Sequence, residues 1–212
     1  MLNRLFGRKQ PLAGAQLPII RNVTLGRSMM LDPLAWRRFG DALRFPFDGD
    51  TLQIVAQGLV ELGEGGFVHR FYTDEDIMFQ AVSNDREGQD VTDVTLFAPW
   101  DSMYPGSSAE RAPWRARLSA PSFTADGLPE YRRFWFGDAA PVQEPVSFWE
   151  ELHDDRDGIV DRRIFQSCML FARDLPSEGR ELLLAIEQEN DAGEVSFEIM
   201  IGVALELGEF KA

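Results

Sequence analysis

A single cysteine, Cys168, leaves the chain unable to close an internal disulfide. Its stability must come from burial and hydrogen bonding, and a reducing compartment fits. Histidine is nearly as scarce, at His69 and His153 only, which removes most schemes that need two imidazoles. Lysine occurs only at Lys9 and Lys211, so arginine carries almost all the positive charge. The formal net charge of −14 lacks the basic surface that phosphate neutralisation needs, and nucleic acid is not an expected partner. Long apolar runs are missing too. The longest, Ile199 to Leu205, falls far short of the ~20 residues of a membrane-spanning helix. No run of signal-peptide length follows the N-terminal basic residues, so a cytoplasmic protein is expected. A phosphate-cradling loop is also absent: Gly63, Gly65 and Gly66 precede the β-formers Phe67 and Val68, whereas anion binding needs a helix to start there. There is no internal repeat and no low-complexity segment.

What is present is period-two alternation. From Thr51, the residues Leu52, Ile54, Ala56, Gly58, Val60 and Leu62 share one parity, with Gln53, Gln57 and Glu61 on the other. Successive strand side chains point to opposite faces, so this reads as a half-buried strand. The glycines at 63–66 then form a hairpin connection, and Phe67 to Tyr72 resumes as a second strand. Thr73-Asp74-Glu75-Asp76 is an acidic turn before a third strand, Ile77 to Val82. Further strands are expected at Leu17–Leu25, Val91–Ala98, Ala120–Phe123, Tyr131–Phe136, Ile164–Phe171, Leu182–Glu187 and Val195–Leu207. Ile164 to Phe171 is apolar on both faces, as in a strand covered on both sides. Asp32-Pro33 marks a helix start running to about Leu43, and Ser108 to Leu118 marks a second helix. The expected fold is mainly β (α+β): antiparallel sheets in a sandwich or barrel-like arrangement with one or two short helices.

The chain has 212 residues, enough for one domain with a sizeable core. Residues 1–16 read as a flexible basic tail and 17–212 as one globular β-rich domain, with two lobes divided near 137–145 as the alternative. Charge is uneven: residues 1–38 hold seven Arg or Lys against Asp32, or +6, which leaves −20 for the rest. In the tail, Leu2, Leu5 and Phe6 fall at helical spacing beside Arg4, Arg8 and Lys9. That pattern suits an anionic membrane surface or an acidic partner.

Four constellations compete as chemistry. His69 with Asp74, Glu75 and Asp76 would suit a divalent metal or a hydrolase-type acid–base pair. Against this, His69 shares a strand parity with Phe67 and Phe71, and acids are ordinary in turns. His153-Asp154-Asp155-Arg156-Asp157-Gly158 imitates the start of a calcium loop, but Ile164 stands where the bidentate Glu belongs. Cys168 lies in an apolar strand, where a thiol is inert. The five Trp and 16 Phe can line a ligand pocket, as in small β-barrels, or fill a core.

Leu17-Pro18, Leu31-Asp32-Pro33-Leu34, Glu61-Leu62-Gly63, His69 to Asp76, Val91-Thr92-Asp93-Val94 and Ala120-Pro121-Ser122-Phe123 together resemble the bacterial YjfK-like family. The resemblance covers roughly residues 17 to 207, and no catalytic residue comes with it. It implies a small cytoplasmic protein encoded beside PspA-like membrane-remodelling proteins, and the basic tail adds the expectation of a peripheral place at the inner membrane. The expected function is therefore a non-enzymatic interaction protein working with a PspA-like partner system. It would use the tail residues together with Tyr72, Asp74, Glu75 and Asp76, and would need no cofactor or metal. The alternatives are a small-ligand-binding β-module and an enzyme built on His69 and Asp74–Asp76.

Overall fold

The computed structural model describes residues 17–176, 179–190 and 192–212. The structure is mostly β, at 47% strand and 11% helix, and its centre is a closed antiparallel barrel of eight strands. In chain order the barrel strands are β2 (Thr51–Glu61), β3 (Phe67–Thr73), β4 (Met78–Ser83), β5 (Val91–Met103), β8 (Val146–His153), β9 (Arg162–Asp174), β10 (Arg180–Glu189) and β11 (Val195–Ala204). Pairing runs β2-β3-β4-β5-β11-β10-β9, and β8 closes the ring between β9 and β2. Short strands extend it: β1 (Ser28–Leu31) with β12 (Phe210–Lys211), and β6 (Ser122–Phe123) with β7 (Tyr131–Arg133). The helices are α1 (Leu34–Arg37) and α2 (Ser108–Ser119). The barrel-like antiparallel expectation therefore holds, and strand exceeds helix about fourfold.

Two buried clusters correspond to the two faces of the barrel wall. Inside lie Val60, Val68, Met78, Phe97, Phe148, Cys168, Leu170, Leu182, Leu184 and Met200. On the outside Phe71, Phe79, Leu96, Phe171, Leu183 and Ile201 are buried under segments that wrap the barrel. Trp36, Phe45 and Phe47 of the N-terminal wrap pack at centroid distances of 5.7–6.4 Å. Trp114 of α2 stacks on Phe197 at 5.7 Å, and Phe210 meets Phe79 edge-on at 4.8 Å. Burial on both faces is why β9, β10 and β11 read as near-continuous apolar runs instead of alternating ones.

Glu181, fully buried on the outer face, anchors the wrap. It accepts from the Tyr131 hydroxyl at 2.6 Å, the Arg173 guanidinium and the Arg44 amide. Burial pushes the Tyr131 phenol above its ordinary value, and its hydrogen bond to Glu181 adds to the shift.

The sequence expectations fail at four places, each for a local reason; the strand expected at Tyr131–Phe136 ends at Arg133, because the chain turns there with Phe136 at a φ of 64°. Leu17–Leu25 is not a strand but a tight turn, with an Ile20–Val23 bridge and Arg21 and Asn22 at φ of 48° and 72°. The helix after Asp32 stops at Arg37 and gives way to a 3-10 turn, Gly40–Ala42. Gly40 adopts a φ of 51° there, which an α-helix does not allow. β5 continues through Pro99 to Met103, because the register shift opposite Ile199 and Met200 accommodates a residue with no N–H.

Candidate functional site: the barrel interior

The register sets which side chains face the barrel axis. Ile54 opposes Thr73 and Ala56 opposes Tyr72, so Val55 is the extra residue of a bulge in β2. Leu52 and Ile54, before the bulge, join the outer cluster; Val60, after it, joins the inner one. One uninterrupted sequence parity thus serves two faces. Past the bulge, Gly58 pairs with Arg70 on one side and Leu152 on the other, which directs Arg70 inward with Val68 and Tyr72.

Arg70 is 2% exposed and Glu150 fully buried. Arg70 Nη1 donates to Glu150 Oε2 at 2.9 Å and to Gln166 Oε1 at 2.6 Å, and Nε donates to Gln80 Oε1 at 3.0 Å. Gln166 Nε2 donates to Glu150 Oε2 at 3.0 Å, and the Tyr72 hydroxyl donates to Glu150 Oε1 at 2.8 Å. The Phe148 ring lies under the guanidinium at 5.4 Å. Since arginine only donates, Gln80 and Gln166 must both present their oxygens to it, which fixes the amide orientations. Burial is the largest single influence and works against the Arg70 charge, but Glu150 together with the neighbouring Tyr72 and Cys168 outweighs it and the guanidinium stays protonated. Burial raises the Tyr72 phenol well above its ordinary value, and Glu150 beside it raises it further.

Two glycines make room for this interior. A Cβ on Gly58 would stand 1.9 Å from Glu150 Oε1, and one on Gly202 would stand 2.5 Å from the Phe97 ring. Above the polar layer the barrel holds a cavity of ≈ 650 Å³. Its walls come from seven barrel strands and from Leu62; Val82, Phe97, Phe148, Leu170 and Leu182 make them mainly apolar. Arg70 and Gln80 form its floor, Asp93 and Arg180 stand at the rim, and the Phe134–Phe136 segment leans over the mouth.

Of the interaction residues expected from sequence, Tyr72 alone among the described ones reaches this interior. Leu2, Arg4, Leu5, Phe6, Arg8 and Lys9 lie outside the described residues. Tyr72 points into the barrel. Asp74, Glu75 and Asp76 are exposed in the β3–β4 turn, at the barrel end away from the cavity mouth. Asp74 Oδ1 accepts from the Gln53 amide at 3.2 Å, and Asp76 takes a φ of 59° in the turn. His69 does not meet these acids: it faces the outer side of β3, fully buried. Asp74 lies five residues further along the chain, or roughly 16 Å at a strand's rise. Carboxylates of the 153–158 loop accept from the loop's own amides, as in Asp157 Oδ1 to the Ile159 N–H at 2.8 Å. Burial pushes the Cys168 thiol up to about 11, consistent with an inert side chain. Among the described residues no cluster of His, Cys, Asp or Glu is placed to hold a metal ion.

His69 has a distinct consequence. The Ser83 hydroxyl donates to the Asp85 carbonyl at 2.5 Å, so it accepts from His69 Nε2 at 2.9 Å. That leaves Nδ1 as a buried acceptor with no partner among the described residues. Burial lowers the His69 pKa from 6.5, against the raising influence of Asp85. Below pH 6.5 the unfolded chain then binds the proton that the folded one refuses, and stability falls as pH drops toward the lowered folded value. The slope approaches about 1.4 kcal/mol per pH unit. Urea unfolding between pH 7 and 5.5 should show this slope, and His69→Leu should remove it. Asp85 does not contribute in that range, because amide hydrogen bonds from Gln89 and Asp90 hold its carboxyl below 3.8.

Arg70, Glu150, Gln80, Gln166, Gly58 and Gly202 were not singled out from sequence. Arg70 alone carried a signal: a charge at the centre of an otherwise apolar and aromatic strand, two residues from Val68 and Tyr72. Its partner Glu150 is 80 residues away, and nothing local marks such a pairing.

The chain belongs to the family described as Protein of unknown function (DUF2491), whose model matches residues 1–211. It is similar to the Escherichia coli (strain K12) Uncharacterized protein YjfK: 28% identical over 198 residues, covering 90% of this chain and 87% of that one. The family resemblance read from the sequence motifs is thereby borne out. No solved structure matches the chain.

Proposed function

We propose that this member of the DUF2491 family is a small-ligand-binding β-barrel whose ligand occupies the cavity above Arg70. The observation that carries the reading is one apolar-walled space of ≈ 650 Å³, built by nearly every strand of a closed barrel and floored by a fixed polar network. Its size lies within the roughly 300–1,000 Å³ of small-molecule sites, and its few convergent polar groups match the way such sites set orientation. A barrel with no function for its interior would fill it with side chains.

Val146 lines the mouth and is half-buried, so a larger residue fits there with little strain on the wall. An environment-sensitive apolar dye should bind the protein saturably and raise its melting temperature, by about 2.7 kcal/mol of added stability at a hundredfold excess over Kd. Val146→Trp should abolish the saturable signal while keeping cooperative unfolding. Undiminished binding by Val146→Trp would place the dye elsewhere and sink the reading.

A second reading concerns the outer wall and is compatible with the first. Trp149 and Phe165, 56% and 36% exposed, pair at 5.3 Å on the outside of β8 and β9. Glu61, Arg86, Glu151 and Arg163 surround them. Such an aromatic pair in a charged surround favours a protein contact. It supports the proposal of a partner, PspA-like by family neighbourhood, held through this wall rather than through the Asp74–Asp76 turn. No helix of the described residues is long and apolar enough to cross a membrane. Contact of the tail with anionic lipid, peripheral at the inner membrane, remains a proposal resting on residues 2–9.

A further inference from the structure

From the donors and acceptors on the cavity floor we infer that the ligand is uncharged, with an apolar body and one carbonyl-type acceptor at its deep end. The inference rests on the ligand-binding reading and adds the chemical class. Each carboxylate and amide oxygen of the floor network already accepts at least one hydrogen bond. Glu150 Oε1 takes the Tyr72 hydroxyl, Glu150 Oε2 takes Arg70 and Gln166, and the two glutamine oxygens take Arg70. Two donors are left. Arg70 Nη2 and Gln80 Nε2 take part in none of these hydrogen bonds, and both side chains line the cavity. An acceptor that reaches both satisfies them; a donor placed there would face donors and stay unpaired.

Charge decides between a neutral acceptor and an anion. Arg70 is already neutralised by Glu150, 2.9 Å away and fully buried. A carboxylate entering beside them would leave a net negative charge in a low-dielectric interior, which is costly unless it is itself paired. It would also approach a protein of net charge −14, and at the rim Asp93 offsets the one cation there among the described residues, Arg180. A primary amine fails twice, as a donor and as a cation with no free acidic partner at the floor. An amide, ester or ketone carbonyl meets both free donors without adding charge, and an apolar chain fills the space between Phe97, Phe148, Leu170 and Leu182.

The test is displacement of the cavity dye from the full chain by four probes of equal chain length: decan-2-one, decanoate, decylamine and decane. The ketone should bind about tenfold more tightly than decane, as one or two hydrogen bonds to a charge-bearing floor provide. Decanoate should bind more weakly than the ketone at pH 8 and gain as its own carboxyl protonates in acid. Decylamine should bind most weakly. Gln80→Leu removes one donor and should cut the ketone preference while leaving decane unchanged. Because that variant also strips Arg70 Nε of its acceptor, Gln80→Met is the companion: its thioether keeps a weak acceptor, carries no donor and no charge, and should cut the preference equally. Equal binding of ketone and decane, tightest binding by decanoate or decylamine, or a ketone preference untouched in Gln80→Met would each overturn the inference with the cavity still binding dye. Loss of dye binding by the wild type as well would overturn both the ligand class and the cavity reading.

Discussion

Arg70→Met should lower the unfolding free energy by about 3–5 kcal/mol, and adding Glu150→Gln should restore a large part of it. The single change leaves a buried carboxylate whose only remaining donors are the Tyr72 hydroxyl and the Gln166 amide. It also leaves the Gln80 and Gln166 oxygens facing apolar atoms. Breaking one side of a buried pair is costly because the other charge stays without compensation, whereas removing both charges often comes close to neutral. In the double variant the amide oxygen introduced at position 150 still accepts from Tyr72, so the remaining loss reflects hydrogen bonds, each worth about 1 kcal/mol. Protonation relieves the uncompensated carboxylate of the single variant, so its deficit should be greater at pH 8 than at pH 5. The double variant should show no such difference. Denaturant unfolding at the two pH values measures all of this. Equal losses in the single and double variants would mean that the pair acts by packing alone.

Much of the fold was legible, because strand parity and turn chemistry are local. The hairpin at 63–66 forms where the glycines stand, Gly65 taking a φ of 85°. The second helix starts at its expected position, with the Ser107 hydroxyl accepting from the Glu110 amide at 3.3 Å. The covered strand around Cys168 is legible from its apolar run; β9 is buried on both sides from Cys168 to Ala172, whereas Phe165, nearer its start, is exposed on the outer face. The interior was not legible, since it depends on closure. Parity tells that Gly58 and Val60 share a face, but it cannot tell that a bulge at Val55 turns Leu52 and Ile54 to the opposite one. Nor does it bring β8 between β2 and β9, the step that puts Glu150 beside Arg70. His69 drew attention by its residue type, and Arg70, one position on, did not. The difference between them is which side of the wall each faces.

Gly58→Ala should destabilise by about 2–3 kcal/mol, although Ala is otherwise the better strand residue. The glycine lies in the middle of β2, where relief from its conformational entropy would favour Ala by roughly 0.5–1 kcal/mol. The added methyl, however, would sit 1.9 Å from Glu150 Oε1. A flexible acid at the surface would swing aside at little expense. Glu150 cannot, because Tyr72, Gln166 and Arg70 hold both of its oxygens and it has no exposed surface into which to move. The methyl therefore competes with the ion pair itself. A double-mutant cycle isolates the effect: in a Glu150→Ala background the methyl meets no carboxylate, and Gly58→Ala should then be neutral or stabilising. Gly63→Ala is the control, since a Cβ there meets nothing within 4 Å, and it should stay within about 0.5 kcal/mol of wild type. If Gly58→Ala costs the same in both backgrounds, the residue's role is backbone geometry, and the close approach of Glu150 to β2 does not hold the interior in register.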